Sequence, residues 1–573
     1  MKQIPNSLVD ILLWRAEHQP HSVVYRFLKD GEYDEACITY GELDRQARSI
    51  GATLQASTKA GERALLLLPA GLDFIAAYFG CLYANIIAIP VYPPHPARLE
   101  KSLSTIFRIA SDSRPAAAIM DSSLYDALKS RTDLSAGFGS IKLIVADTDE
   151  IESQSGKWQR PAPNIIGIAS LQYSSGSTSA PKGVIITHSN LLHNLGVIEE
   201  SMGLTDKSET VFWLPPYHDM GLVVILQSLY TGYPATLMSH LTFLQSPIRW
   251  LQAITRFRAT ASGGPNFAYD MCVSKIRPKQ REQLDLSKWE VAFNGAESIN
   301  PKTLDQFANY FAPCGFRREA FFPCYGLAEA TLMVVGGPKT RLPVVKNLLK
   351  SGLEENKVII TGQNGDITQA LVSCGQNIGR QTIRILDVKA LTPCLPNEVG
   401  EVCLSGPSVS IGYWNNPVEN EYTFVTRLFE NEEGTFLRTG DLGFLNGDEL
   451  YITGRLKDLI IINGKNHYPH DIERTVEQSH SAILPGGCAV FSIDDSGSER
   501  LIVVAEIQHK PVMDLAEVIR VIRTSIAENH NLSVYDINLT VTGTIPRTTS
   551  GKIKHFQCKK NYLAETLNEI KLA

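Results

Sequence analysis

Short apolar runs bounded by glycine, proline or polar residues recur along the first three quarters of the chain: Ala64 to Leu68, Ile86 to Val91, Ala116 to Ile119, Ile141 to Val145, Val211 to Leu214 and Val291 to Phe293. Stretches able to form helices separate many of them, the alternation of strand–helix–strand units in largely parallel sheets. Ahead of these runs, Leu8, Ile11 and Leu12 fall on one face of an amphipathic helix that opens near Asn6 or Ser7. Ligands of parallel sheets bind beyond the carboxyl ends of the strands, so the polar motifs at those ends are the candidates for chemistry.

The pattern changes after Leu450. A Gly-Arg-Leu-Lys-Asp stretch leads into Leu459 to Ile462, a helix from His470, strands near Ala489 to Ile493 and Leu501 to Ile507, and a further helix from Asp514. The expected architecture is α/β. A large N-terminal domain of mostly parallel sheets with helices spans residues 1–456, and a small α+β C-terminal domain spans 457–573, with the boundary near Lys457. There are no internal repeats and no low-complexity tract.

Composition narrows this picture. At 573 residues the chain is several times the usual domain size, and 44% apolar with 20% charged residues is ordinary for a globular protein. A formal net charge of −6 without a long basic run argues against nucleic acid as a partner. Ten cysteines scattered from Cys37 to Cys558, with no Cys-x-x-Cys pair, argue against a zinc site or a disulfide framework. Asp10, Arg15 and Glu17 interrupt the first apolar stretch, so it is no secretory signal, and no segment has the apolar length of a transmembrane span. The expected location is cytoplasmic.

The strongest local motif runs from Leu171 to Gly183, reading LQYSSGSTSAPKG, and follows the apolar Ile165 to Ala169. A strand followed by small hydroxyl residues and glycine lets backbone N–H groups and the hydroxyls of Ser174, Ser175, Ser177 and Thr178 wrap phosphate oxygens around Gly176. Lys182 adds positive charge. The motif lacks the Gly-Lys-Ser/Thr ending of the nucleotide-hydrolase P-loop. A second motif, Phe322 to Thr331, offers the aromatic face of Tyr325 beside Gly326 for a purine, and Glu329 for Mg²⁺ bridging phosphates. Its plain alternative is a turn leading to a helix. Downstream, Arg438-Thr439-Gly440-Asp441 ends another expected strand with a carboxylate suited to ribose hydroxyls, and Gly454 to Asp458 brings Arg455 close in sequence. Last, Pro546 to Ile553 carries Lys552 on a glycine loop, where a solvated lysine is the plain alternative.

These motifs, in this order and over nearly the whole chain, resemble the adenylate-forming superfamily of acyl-CoA synthetases, amino-acid adenylation domains and firefly luciferase. The resemblance implies the luciferase-like fold with a mobile C-terminal domain, and an active site between the domains. There a carboxylate attacks the α-phosphorus of ATP and magnesium pyrophosphate leaves. It further implies that Ser174 to Lys182 bind the phosphates, Glu329 holds Mg²⁺, Tyr325 stacks on adenine, Asp441 and Arg455 hold the ribose, and Lys552 meets the charge developing in the transition state. Asn294-Gly295-Ala296-Glu297 resembles the adenine-contacting segment, with a tight turn as its alternative. Tyr217 to Gly221, with His218, resembles the junction of acyl and nucleotide pockets, with a structural histidine as its alternative.

Within the superfamily, Ser262 to Tyr269, Phe293 to Glu297 and Asn466 to Glu473 resemble the fatty acyl-AMP ligases. So does an extra stretch at about 338–370, which resembles the insertion that sets them apart from acyl-CoA synthetases; a surface elaboration is the alternative. Ser179 departs from the glycine that many superfamily members carry in the phosphate loop. The implied reaction is activation of a medium- or long-chain fatty acid to acyl-AMP, for transfer to the phosphopantetheine of an acyl carrier protein or of a polyketide or nonribosomal synthase carrier domain. A fatty acyl-CoA synthetase and an inactive nucleotide-binding homologue are the competing readings. Gly263, Gly264 and Pro265 are expected to leave room for the acyl chain.

Overall fold

The computed structural model describes residues 6–94, 99–131, 134, 136–162, 167–174, 181–362, 367–379, 381–426, 434–462, 464–495, 498–508, 514–548 and 551–570. The apolar runs read from sequence become two sheets. In one, Lys142–Val145, Ala117–Met120, Arg63–Leu66, Ile87–Pro90 and Ile168–Ser174 lie side by side and parallel, and Lys182–Thr187 then folds back antiparallel on Ile168–Ser174. Ser174 pairs with Lys182 at the end of this antiparallel pair.

The other sheet holds fourteen strands among the described residues. Its parallel part sets Val23–Leu28, Ala235–Met238, Thr210–Phe212, Ala261–Gly264, Val291–Asn294 and Phe321–Gly326 in that spatial order. After Phe321–Gly326 the pairing turns antiparallel, through Met333–Gly336 and Gln376–Asn377 to the long pair Glu449–Arg455 and Phe436–Asn446. Helices such as Leu72–Tyr83, buried along nearly their whole length, fill the space around the sheets and join them in one apolar core. Burial on all sides explains why these segments carry apolar residues without alternation.

The last part of the chain has its own core. Ile483–Asp495 and Ser498–Ile507 pair antiparallel, and Val534–Val541 adds parallel to the latter. Helices Pro469–Ser479 and Leu515–His530 cover one face with Ile472, Val476, Val518, Ile522 and Ile526. Asp514 opens the second helix by accepting from the N–H groups of Ala516 and Glu517. Two elements escape the sequence pattern, the Val534–Val541 strand and the His555–Leu563 helix; the latter covers the opposite face through Cys558.

The extra stretch folds as a two-stranded sheet, Val345–Leu349 against Thr368–Val372, with a short helix Lys350–Leu353. It meets the C-terminal part through polar contacts. Lys350 Nζ lies 2.8 Å from Asp471, Lys465 Nζ lies 2.7 Å from Glu354, and Asn466 donates to Asn356 at 2.9 Å.

Candidate active site

A cavity of about 1560 Å³ opens beyond the carboxyl ends of the parallel strands, where the C-terminal part closes over them. Its wall gathers Lys182, His218, Asp219, Ala296, Glu297, Tyr325, Gly326, Glu329, Asp441, Arg455, Lys457 and Lys552. Residues scattered over 371 positions of sequence (182 to 552) thus meet in one place.

Asp441 anchors one side. The structure corrects the expectation that Arg438 to Asp441 ends a strand: the motif lies inside Phe436–Asn446, and Asp441 pairs in register with Arg455 on the neighbouring strand. Its carboxylate, 5% exposed, accepts the Tyr325 hydroxyl at 2.7 Å and lies 3.1 Å from Arg455 Nε. Burial and the adjacent Asp441 hold the Tyr325 phenol far above its ordinary value, so it remains a donor. Three of the expected site side chains are therefore fixed by one cross-strand pair and one hydrogen bond.

Glu329 sits on a short turn, Ala328–Ala330, followed by a strand rather than the helix considered from sequence. A Cβ on Gly326 would meet Leu332 O at 1.8 Å, so only glycine lets the chain fold back here. Thr331 takes a φ of +69° and is held by donating to Ser408 O at 2.7 Å. The Glu329 carboxylate accepts from the Tyr413 hydroxyl at 2.8 Å. Lys182 pairs with Glu419 and places its ammonium 5.3 Å from the centre of the Tyr413 ring. The flank of the phosphate motif and the candidate Mg²⁺ carboxylate thus converge on Tyr413.

His218 and Asp219 lie at the N-terminus of the helix Asp219–Thr231, with Nδ1 to Oδ1 at 2.5 Å. Gly221 permits this placement, because a Cβ there would lie 1.9 Å from Pro215 O. Burial raises the Asp219 carboxyl, but His218 and the more distant Lys552 outweigh it and the net shift is downward. The Lys552 carbonyl accepts from Thr548 N at 2.7 Å. Lys552 is not the surface lysine that its loop context allowed. Gly551 rests on Phe267 of the large body, and the amine reaches into the cavity toward Asp219, Glu297 and Asp441. Burial and Arg455 lower its pKa, and the three carboxylates oppose them. Burial also lowers Lys457, on the turn Leu456–Asp458, with Arg455 adding to the shift.

Of the Asn294 to Glu297 segment, Ala296 and Glu297 line the cavity, with Ala296 at a φ of +72°. Burial raises the Glu297 carboxyl while Lys552 opposes the shift. Asn294 and Gly295 stand behind them; Gly295 packs against Cys324 O, and both amide atoms of buried Asn294 lack a partner among the described residues. Ser175, Gly176, Ser177 and Thr178 lie outside the described residues, and Ser174 ends the strand that leads to them.

The expectation for Gly263, Gly264 and Pro265 needs correction. None of them lines the cavity. A Cβ on Gly263 would meet Phe293 O at 2.2 Å, and one on Gly264 would meet the Trp213 ring at 2.8 Å, so protein fills the space that these glycines leave. The apolar limb lies elsewhere, along Met220, Val223 and Val224 of the helix Asp219–Thr231 and toward Ile198, Met202 and Phe212. The sequence carried one signal for it. Positions 220, 223, 224 and 227 recur at helical spacing immediately after the His218–Asp219 pair.

A cavity with a phenol, a ribose-type carboxylate, cations and a carboxylate at its mouth, continued by an apolar limb, is a site for joining a nucleotide to an apolar acid. Residues 12–414 match the family described as AMP-binding enzyme, and the chain belongs to it. Residues 457–572 match the AMP domain of Disco-interacting protein 2-like proteins. More narrowly, the chain is 44% identical over 570 residues to the medium-chain fatty acid–acyl carrier protein ligase JamA of Moorena producens, covering 98% of this chain and 96% of that one. It is 33% identical to the ligase TtuA of Teredinibacter turnerae, which carries the same description, over 98% and 94% of the two chains. The crystal structure of a fatty acyl-adenylate ligase from L. pneumophila, in complex with acyl adenylate and pyrophosphate, superimposes with a TM-score of 0.76 at 41% identity, covering 97% and 96%. Among the described residues no helix is long and apolar enough to cross a membrane.

Proposed function

We propose that this chain activates a medium-chain fatty acid with ATP, giving acyl-AMP and pyrophosphate, and delivers the acyl group to the phosphopantetheine thiol of a carrier protein. The observation that carries this reading is the single cavity in which the charged mouth around Asp441, Arg455 and Lys552 runs into an apolar limb. The activities named for JamA and TtuA support the choice of acid and acceptor.

In this reading a carboxylate oxygen attacks the α-phosphorus, an oxygen–phosphorus bond forms, and the bond to pyrophosphate breaks. The Ser174 to Thr178 segment and Lys182 hold the β- and γ-phosphates. Tyr325 and Gly326 flank the adenine with Asn294, Gly295, Ala296 and Glu297, and Asp441 with Arg455 takes the ribose hydroxyls. Lys552 donates to the oxygens on which negative charge gathers in the transition state, a role that a preorganised, partly desolvated cation performs best. His218, fixed by Asp219, orients the incoming carboxylate. Glu329 keeps one oxygen beyond its bond to Tyr413, and a single carboxylate completed by phosphate oxygens is the donor set that Mg²⁺ favours. Mg²⁺ bound there would neutralise phosphate charge. Lys457 serves as the hinge between residues 1–456 and 457–573.

A carrier protein is favoured over CoA as acceptor because the inserted sheet is tied to the C-terminal part by the Lys350–Asp471 and Lys465–Glu354 ion pairs, which resist reorientation of that part. The test supplies ATP, Mg²⁺ and fatty acids of graded length, then either CoA or a phosphopantetheinylated carrier, with products identified by mass spectrometry. Acyl-AMP and acyl-carrier are expected. Efficient acyl-CoA formation would overturn the choice of acceptor, and absence of acyl-AMP would overturn the activity.

A further inference from the structure

The apolar limb does not end in an apolar cap. It follows the helix Asp219–Thr231 through Met220, Val223 and Val224 and reaches Gln227, whose side chain lines the cavity although the residue is only 2% exposed. One arm of the Gln227 amide is used, with Nε2 donating to Thr231 Oγ1 at 3.0 Å. The other, Oε1, has no partner among the described residues. Thr210 and Tyr233, both buried, line the same inner end, and the Tyr233 hydroxyl faces Thr210. Three hydrogen-bonding side chains thus share the lining of the cavity with the apolar Ile198, Met202 and Phe212.

A buried amide oxygen without a partner is unfavourable, and a methyl end group placed against it would leave it so. A hydroxyl serves it in either amide orientation, because it both donates and accepts. From Asp219 to Gln227 the helix advances about 12 Å. An extended acid of roughly ten carbons covers that distance, at ~1.25 Å per C–C bond in a zigzag of 1.52 Å bonds.

We propose that Gln227 makes the inner end of this pocket a recognition site for a hydroxyl on the distal carbons of the acyl chain, so that a medium-chain ω-hydroxy acid is preferred over the plain acid of equal length. This rests on the reading of the cavity limb as the acyl pocket. It goes beyond that reading by assigning the chemistry of the chain's far end.

Two readouts test it. Acyl-AMP formation is measured for octanoic and decanoic acids against 8-hydroxyoctanoic and 10-hydroxydecanoic acids, and the thermal shift that each acid gives without ATP is measured in parallel. The wild-type enzyme is expected to favour a hydroxy acid about tenfold to a hundredfold in kcat/KM, with the same order in the thermal shifts. Gln227→Met, of similar shape and apolar, is expected to lose that preference and to improve with the plain acid. Equal or poorer use of both hydroxy acids by the wild-type enzyme overturns the inference, as does a preference that survives Gln227→Met. If no acid yields acyl-AMP, the proposed activity fails, and the thermal shifts still decide whether the inner end prefers a hydroxyl.

Discussion

The two halves of the cavity are built differently. The apolar limb is lined by residues such as Met202, Phe212 and Val223, all within the large body and set in its continuous core. The charged mouth is composite. Tyr325 and Asp441 belong to the sheet and Glu329 to the turn Ala328–Ala330 that follows one of its strands, whereas Lys552 arrives from the far end of the chain across a contact with Phe267. A pocket of core side chains exists whenever the body is folded, because close packing leaves it no alternative arrangement. A site completed across two separately cored units exists only while those units are closed. On the proposed reading, selection of the acid is therefore a standing property of the fold, and the chemistry is conditional on closure.

Removing the travelling residue gives the largest separation of the two halves. Lys552→Ala is expected to lower acyl-AMP formation by about 10² to 10³, while the thermal shifts given by different acids keep their order; parallel loss of both would show that the halves are not independent. The same lysine sets a pH limit. Its pKa lies below the ordinary lysine value in the closed site, so its proton is lost as pH rises through that lowered pKa. The fall in kcat/KM is then expected on the alkaline side at a pH below that of a solvated lysine, and Lys552→Arg is expected to move it upward.

The converse substitution acts within the limb. Val224→Phe, at a half-buried position on its wall, is expected to reduce use of ten-carbon acids about tenfold relative to six-carbon acids, with the KM for ATP unchanged. Smallest is the effect of loosening closure. Lys350→Ala strips Asp471 of its nearest cation, and the neighbouring His530, whose pKa burial lowers to about 4, does not replace that charge near neutral pH; the substitution is expected to cost about 1–2 kcal/mol in denaturant unfolding. It should also raise any activity with CoA, and unchanged acceptor choice would remove the inserted sheet from the account of specificity.

How much of this was legible beforehand follows from which interactions are local. The strands Ala117–Met120 and Val291–Asn294 were readable because burial on both faces demands consecutive apolar residues. Motifs carrying Lys182, Glu329, Asp441 and Lys552 were readable because binding phosphate and ribose calls for particular residue types on short loops. Gly263 and Gly264 misled because a missing side chain says that something comes close without saying what. Here it is Phe293 and Trp213 rather than substrate. The strand Val534–Val541 carries too many polar residues to stand out, and its parallel pairing with Ser498–Ile507 is decided by a partner about thirty residues away.

The sequence by itself determined the elements, the chemical types at the mouth of the site and the family of reactions they serve, since each is carried by a short run of residues. Only the tertiary structure decided that Lys552 is half-buried and faces carboxylates, that Asp441 is held by a cross-strand arginine, and that the apolar limb runs along one helix to Gln227, whose Oε1 has no partner among the described residues. Those facts depend on which distant side chains arrive at the same point, and close packing rather than local preference fixes that.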